Sequence, residues 1–204
     1  MTPESIRCED LAAHAAFVPL ASVPGIAVDL RYAGPDNFLG RTLYAGLDCA
    51  WLRAEAAAGL ATAAAWLAAQ RRGWRLLVLD ALRPQRVQEA LWAEVAGTAL
   101  EAYLAHPSRG SIHSFGMAVD VTLIDASGRE TDMGTAFDAL IELSHPALEA
   151  EHLALGVLTA AQIAERGWLR AAMKLGGFRG IQSEWWHFDF GDRDAVRRDL
   201  PRVL

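Results

Sequence analysis

Residues 111–120 read SIHSFGMAVD and residues 184–190 read EWWHFDF. Each stretch sets a histidine near a carboxylate among small or apolar neighbours. Zinc takes His nitrogen and Asp or Glu oxygen, and a catalytic zinc site uses three protein ligands and keeps the fourth position for water. His113, Asp120 and His187 form a set of that kind. The separation of His113 and Asp120 is odd, so a straight strand would point them to opposite faces; Gly116 offers the backbone freedom for a turn between them. That places His113 on a loop and Asp120 on a strand MAVDVTL, where Ala118, Asp120 and Thr122 share the small, polar face. Glu184 and His187 cannot share one strand face either, which puts Glu184 at the irregular entrance of the closing strand.

Taken singly, a histidine among apolar residues is more often a hydrogen-bonded structural residue. His14, His106, His145 and His152 lack a matching carboxylate on a strand and are read that way. Asp120 is different, because a carboxylate between Val119 and Val121 in a buried strand costs several kcal/mol unless it is paired or bound to metal. Arg83 is one candidate for a plain ion pair with it. Trp185 and Trp186 read as core rather than as a platform for substrate. No G-x-S-x-G nucleophile elbow and no phosphate-cradling glycine loop is present.

The elements that must position these residues follow from periodicity and punctuation. GIAVDLRYAGPDNFLGRTLYAG reads as strand then loop, and Leu47 to Arg72 as a helix stopped by Gly73. WRLLVLDAL is a buried strand ending at Asp80, and Pro84 opens a helix over PQRVQEALWAEVAGTALEAYLA. DMGTAFDALIELSH is loop then short helix. Thr159 and Gln162 form a capping pattern for a helix that ends near Gly176 and Gly177, and WWHFDF is strand-like. The pattern predicts an α+β fold: a single domain spanning 1–204, with a small, largely antiparallel central sheet flanked by helices.

Composition narrows the partners. The chain has 204 residues, 52% of them hydrophobic, which is enough for a full core. Its formal charge of -6, with no run of Lys or Arg longer than two, gives no footprint for nucleic acid or an anionic membrane. Small molecules or proteins are the expected partners, and the oligomeric state is open. Cys8 and Cys49 have no C-x-x-C spacing and are read as free and reduced. Glu4, Glu9 and Asp10 fall where a secretory signal needs a basic region and an apolar run, so a cytoplasmic location is expected. AAAGLATAAAWLAAQ suits a buried helix better than a membrane span.

With both motifs in view, the sequence resembles the D-alanyl-D-alanine dipeptidases, zinc enzymes of the larger group that includes the D-Ala metallopeptidases and the hedgehog fold. Ser111, His113 and Asp120 match the family's S-x-H…D pattern, and Glu184 and His187 its E-x-x-H pattern. RYAGPDNFLG, DALRP and MGTAFD followed by SH fit in the right order, so the likeness runs from about residue 25 to residue 190. The resemblance implies one zinc per chain held by His113, Asp120 and His187, with Glu184 as general base. It implies that Arg83 steadies charge on the substrate carbonyl and that Tyr32, Ser111 and Asp138 line a dipeptide pocket. The implied reaction is hydrolysis of D-alanyl-D-alanine to two D-alanines. A D,D-carboxypeptidase or peptidoglycan endopeptidase of the same group is the alternative enzyme, and a non-catalytic zinc-stabilised binding module the alternative of another class. The chain departs from the family at Ala81-Leu82, where Gly-Tyr is frequent before Arg-Pro, and at Phe115, where arginine is frequent.

Overall fold

The computed structural model describes residues 4–204. Its centre is a five-stranded sheet of order β2-β4-β5-β7-β6: β2 Ile26–Val28, β4 Arg75–Asp80, β5 Ala118–Ile124, β6 Phe178–Gly180 and β7 His187–Phe190. β2 runs parallel to β4, and every other neighbouring pair is antiparallel. The fold is therefore α+β with a largely antiparallel sheet. A separate two-stranded ribbon pairs β1 Phe17–Pro19 with β3 Trp51–Arg53.

Helices α1 Ala54–Gln70 and α4 Ala160–Leu175 pack on one another and on the sheet. Their approach is close enough that a Cβ at Gly59 would lie 2.4 Å from the carbonyl of Gly176, so only glycine fits there. α4 opens on the capping box of Thr159 and Gln162, which satisfies donors that the first turn leaves unpaired. α2 Gln85–Val95 follows β4, α3 Glu149–Ala154 precedes α4, and α5 Arg193–Asp199 follows β7.

Three boundaries differ from the sequence reading. The first long helix begins at Ala54 rather than Leu47, because Trp51–Arg53 is claimed by pairing with β1. The helix after Pro84 does not run through to Ala105. Gly97 takes a φ of +79°, and the chain resumes only as a short 3-10 turn over Ala99–Tyr103. Pro84 itself precedes the helix in an extended conformation. Within residues 132–145, where loop then a short helix was expected, the chain forms only a 3-10 turn over Glu142–Ser144.

The sheet register does most to assemble the site. Asp80 of β4 stands opposite Asp120 of β5, and Asp120 stands opposite His187 of β7. Three polar residues thus form a row across the three central strands. Every residue of β5 is buried, on both faces, so Asp120 sits on no solvent-facing side of the sheet.

Candidate metal centre and active-site cavity

His113 lies in a 3-10 turn, Ile112–Phe115, closed by Gly116 at φ +68°. A side chain at position 116 would be strained by that φ and would place its Cβ 2.8 Å from the Phe17 ring. The turn brings His113 back over the row of strand residues. Nε2 of His113 is 3.1 Å from Nδ1 of His187 and 3.3 Å from Oδ1 of Asp120, and His187 Nδ1 is 3.0 Å from the same oxygen.

Hydrogen bonds on the far side of each ring decide what faces inward. His113 Nδ1 is 2.7 Å from the carbonyl of Ala81. A carbonyl only accepts, so Nδ1 donates and the neutral ring presents a lone pair at Nε2. His187 Nε2 is 2.9 Å from Asp189 Oδ1, which only accepts, so Nε2 donates outward and Nδ1 is the nitrogen that faces Asp120 and His113. Two imidazole nitrogens and a carboxylate oxygen therefore converge. A tetrahedral ion with bonds of about 2.0–2.1 Å sets its donors roughly 3.3 Å apart, close to this triangle. The donor set fits a divalent cation, and the outer hydrogen bonds are the kind that orient metal-ligating histidines.

Electrostatics agrees. Burial opposes charge on His187, but Asp189 and Asp120 outweigh it and raise the ring well above its usual range, a preference for positive charge that a metal ion satisfies as a proton does. Burial likewise opposes ionisation of Asp120, but the two histidines hold it well below the usual carboxylate range. For Asp189, burial is outweighed by His187 and Arg193, and its carboxyl falls to about 2.

A cavity of about 760 Å³ opens over the triad, and Tyr32, Arg83, Ser111, Asp138 and Glu184 line it with His113, Asp120 and His187. All eight residues singled out by sequence meet in one place. Glu184 sits in the irregular segment before β7, buried between the strand ends. Its carboxylate forms no hydrogen bond within the described residues, and burial pushes its pKa up to about 8. Asp138 has a φ of +64°, unusual for a side-chain-bearing residue, and burial raises its carboxyl to about 6. It accepts the Tyr32 hydroxyl at 2.9 Å and the main-chain N–H of Phe38 at 3.2 Å.

Arg83 is held more firmly than a lone pair with Asp120 would allow. Its Nε donates to Asp80 Oδ2 at 2.9 Å and its Nη1 to Gln88 at 3.3 Å, while Nη2 lies 3.3 Å from Asp120 Oδ2. Asp80 also accepts from the Tyr44 hydroxyl and from Ala81 N. Sequence reasoning missed Asp80, Tyr44 and Asp189 as supports. Asp189 was recoverable, since residues two apart on a strand share a face with His187; Tyr44 lies on a loop and carried no such signal.

The two family departures fall outside the cavity wall. Leu82 and Phe115 are 0% and 1% exposed and pack in the core, and neither lines the cavity. The hydroxyl at this end of β4 comes from Tyr44, and Arg202 lies over the Phe115 ring at 5.5 Å.

An α+β sheet presenting a His-Asp-His donor set, with an unligated buried glutamate beside it, defines a metal-dependent hydrolase. Residues 13–203 match the Peptidase_M15 family, described as D-ala-D-ala dipeptidase. The D-alanyl-D-alanine dipeptidase of Escherichia coli (strain K12) is 40% identical over 174 residues, 85% of this chain and 83% of the relative. The enzyme of that name from Enterococcus faecium is 32% identical over 197 residues (88% and 89%), and that from Enterococcus faecalis 30% over 187 (82% and 87%). The chain belongs to the D-alanyl-D-alanine dipeptidase family.

Proposed function

We propose that this protein hydrolyses D-alanyl-D-alanine to two molecules of D-alanine with one zinc ion per chain, residues 1–204 acting as one unit. The observation that carries the reading is the triangle of ligand atoms from His113, Asp120 and His187 beside the unligated carboxylate of Glu184. Nitrogen and carboxylate donors in a tetrahedral arrangement favour zinc. When bound, the ion supplies Lewis-acid polarisation of the amide carbonyl and acidifies water.

Glu184 then takes the proton of the attacking water and delivers it to the departing amine, a role that its freedom from hydrogen bonds and its place outside the donor triangle support. The guanidinium of Arg83, fixed by Asp80 and Gln88, faces the oxygen on which negative charge develops. Asp138 and Tyr32 receive the substrate's ammonium, and Ser111 lines the same cavity. A purely structural zinc site needs neither a base nor an oxyanion donor, which favours an enzyme over a binding module.

A cytoplasmic location is part of the reading. It is supported by two buried free thiols, Cys8 and Cys49. The test is hydrolysis of D-alanyl-D-alanine with and without a chelator and with zinc returned, next to a longer peptide ending in the same two residues. Chelator-insensitive cleavage ends the metal reading; faster cleavage of the longer peptide turns it toward a carboxypeptidase.

A further inference from the structure

The cavity wall carries both signs of charge. Asp138, Tyr32 and Glu184 line it, and so do Arg109 and Arg197. Arg197 projects from α5, with its side chain only 15% exposed, and its Nε donates to the carbonyl of Gly110 at 3.1 Å. Gly110 directly precedes Ser111, so Arg197 is anchored on the Ser111 side of the triad. Arg109 enters the same wall from the loop before the His113 turn. Only its main chain is engaged, N with His106 O at 3.0 Å and O with Arg202 Nη2 at 3.2 Å.

The positive charge there is not cancelled within the protein. Among the described residues Arg109 has no ion-pair partner, and Arg197 has only Asp194, 3.7 Å away and 92% exposed. Asp189 is already engaged by His187 and Arg193, and Asp192 accepts from the first N–H groups of α5. Burial and then the like charges of Arg109 and Arg193 act against the Arg197 charge, so an anion arriving at this wall relieves a repulsion that the fold maintains.

We infer that Arg109 and Arg197 form a carboxylate-recognising wall that binds the free C-terminus of the peptide substrate and so makes that carboxylate a condition of efficient cleavage. This rests on the dipeptidase reading of the same site. A zwitterionic dipeptide then lies with its ammonium at Asp138 and its carboxylate at the arginines, which brings its single amide over the triad and under Arg83. Guanidinium suits this task because its planar donors match a carboxylate and it stays charged at every working pH.

The experiment compares D-alanyl-D-alanine with D-alanyl-D-alaninamide, which differ only in the carboxylate. For the wild-type protein kcat/KM is expected to favour the carboxylate compound on the order of 10- to 100-fold, the worth of one charged hydrogen-bonded contact. In R109Q/R197Q that preference collapses through KM for the carboxylate compound, read as the ratio of the two compounds in the same variant, and R197K restores part of it. Arg109 is a surface side chain, so R109Q alone carries the test if position 197 proves necessary for folding. Equilibrium binding of both compounds to E184Q gives the same comparison without turnover. A preference that survives in R109Q/R197Q, an equal loss on both compounds, or binding of neither overturns the inference. Retained carboxylate preference in binding with no hydrolysis of either compound overturns the dipeptidase reading and leaves the arginine wall in place.

Discussion

Arg83 and Asp80 stand three residues apart at the end of β4, with Nη2 and Oδ2 at 2.7 Å and both side chains nearly sealed from solvent. The pair fixes the guanidinium before substrate arrives, so its orientation costs nothing at the moment of reaction. R83A should lower kcat about 100-fold or more with metal content unchanged. It should also lower stability by about 3–5 kcal/mol, because Asp80 is left as a buried unpaired carboxylate. Kinetics, metal analysis and denaturant titration check the three parts, and unchanged turnover would remove Arg83 from the reaction.

Tyr44 donates its hydroxyl to the same Asp80. Y44F deletes that hydrogen bond to a charged group, about 1.5–3 kcal/mol of stability, without touching the cavity. A several-fold fall in kcat with KM unchanged is expected, since Arg83 is then less firmly held. A loss of stability with full kcat would show that the hydroxyl serves folding alone.

Glu184 is absent from the donor triangle, and E184Q should therefore keep stoichiometric metal while kcat falls by about 10²–10⁴. Elemental analysis alongside hydrolysis of D-alanyl-D-alanine decides it. Loss of the metal from this variant would make Glu184 a ligand and not the base.

The pH dependence of stability follows from the same carboxyl, whose pKa is lifted from the ordinary 4.5 to about 8 in the fold by burial. Below both values it is protonated in folded and unfolded chains and has no effect. As pH rises between them the unfolded chain loses the proton and the folded one keeps it, so stability falls, and above the folded value the loss is complete. Chelated E184Q lacks this penalty. Its Tm should exceed that of chelated wild type by a margin that grows from about pH 5 to about pH 8; a margin constant with pH would contradict the buried, protonated state.

Asp138 holds a left-handed φ of +64° while its carboxylate faces the cavity. Asparagine tolerates that conformation, so D138N removes charge with little strain, whereas D138A adds a backbone penalty of about 1–2 kcal/mol. Both should raise KM for D-alanyl-D-alanine, and only D138A should also lower Tm by several degrees. Equal Tm for the two variants would refute the strain, and unchanged KM would refute the ammonium contact.

The ligand motif was legible because local rules reach across short spans. Odd spacing with Gly116 between implied a turn at His113 and a strand at Asp120, and the 3-10 turn with φ +68° at Gly116 is that turn. The capping box at Thr159 was legible for the same reason, its hydrogen bonds spanning three residues. The start of α1 was not, because Trp51–Arg53 pairs with residues 17–19, and no local preference records a partner so distant in sequence.

Residue types and spacing by themselves singled out two histidines and an aspartate as a ligand set, and the resemblance to the dipeptidases added Glu184 and Arg83. Only the tertiary structure decided how they are held. The β4-β5-β7 register lines up Asp80, Asp120 and His187, Ala81 and Asp189 choose which nitrogen of each ring faces inward, and Asp80 with Tyr44 fixes Arg83. The physical reason is that a side chain's identity is local, whereas its tautomer, charge and direction depend on neighbours supplied by strands far apart in the chain.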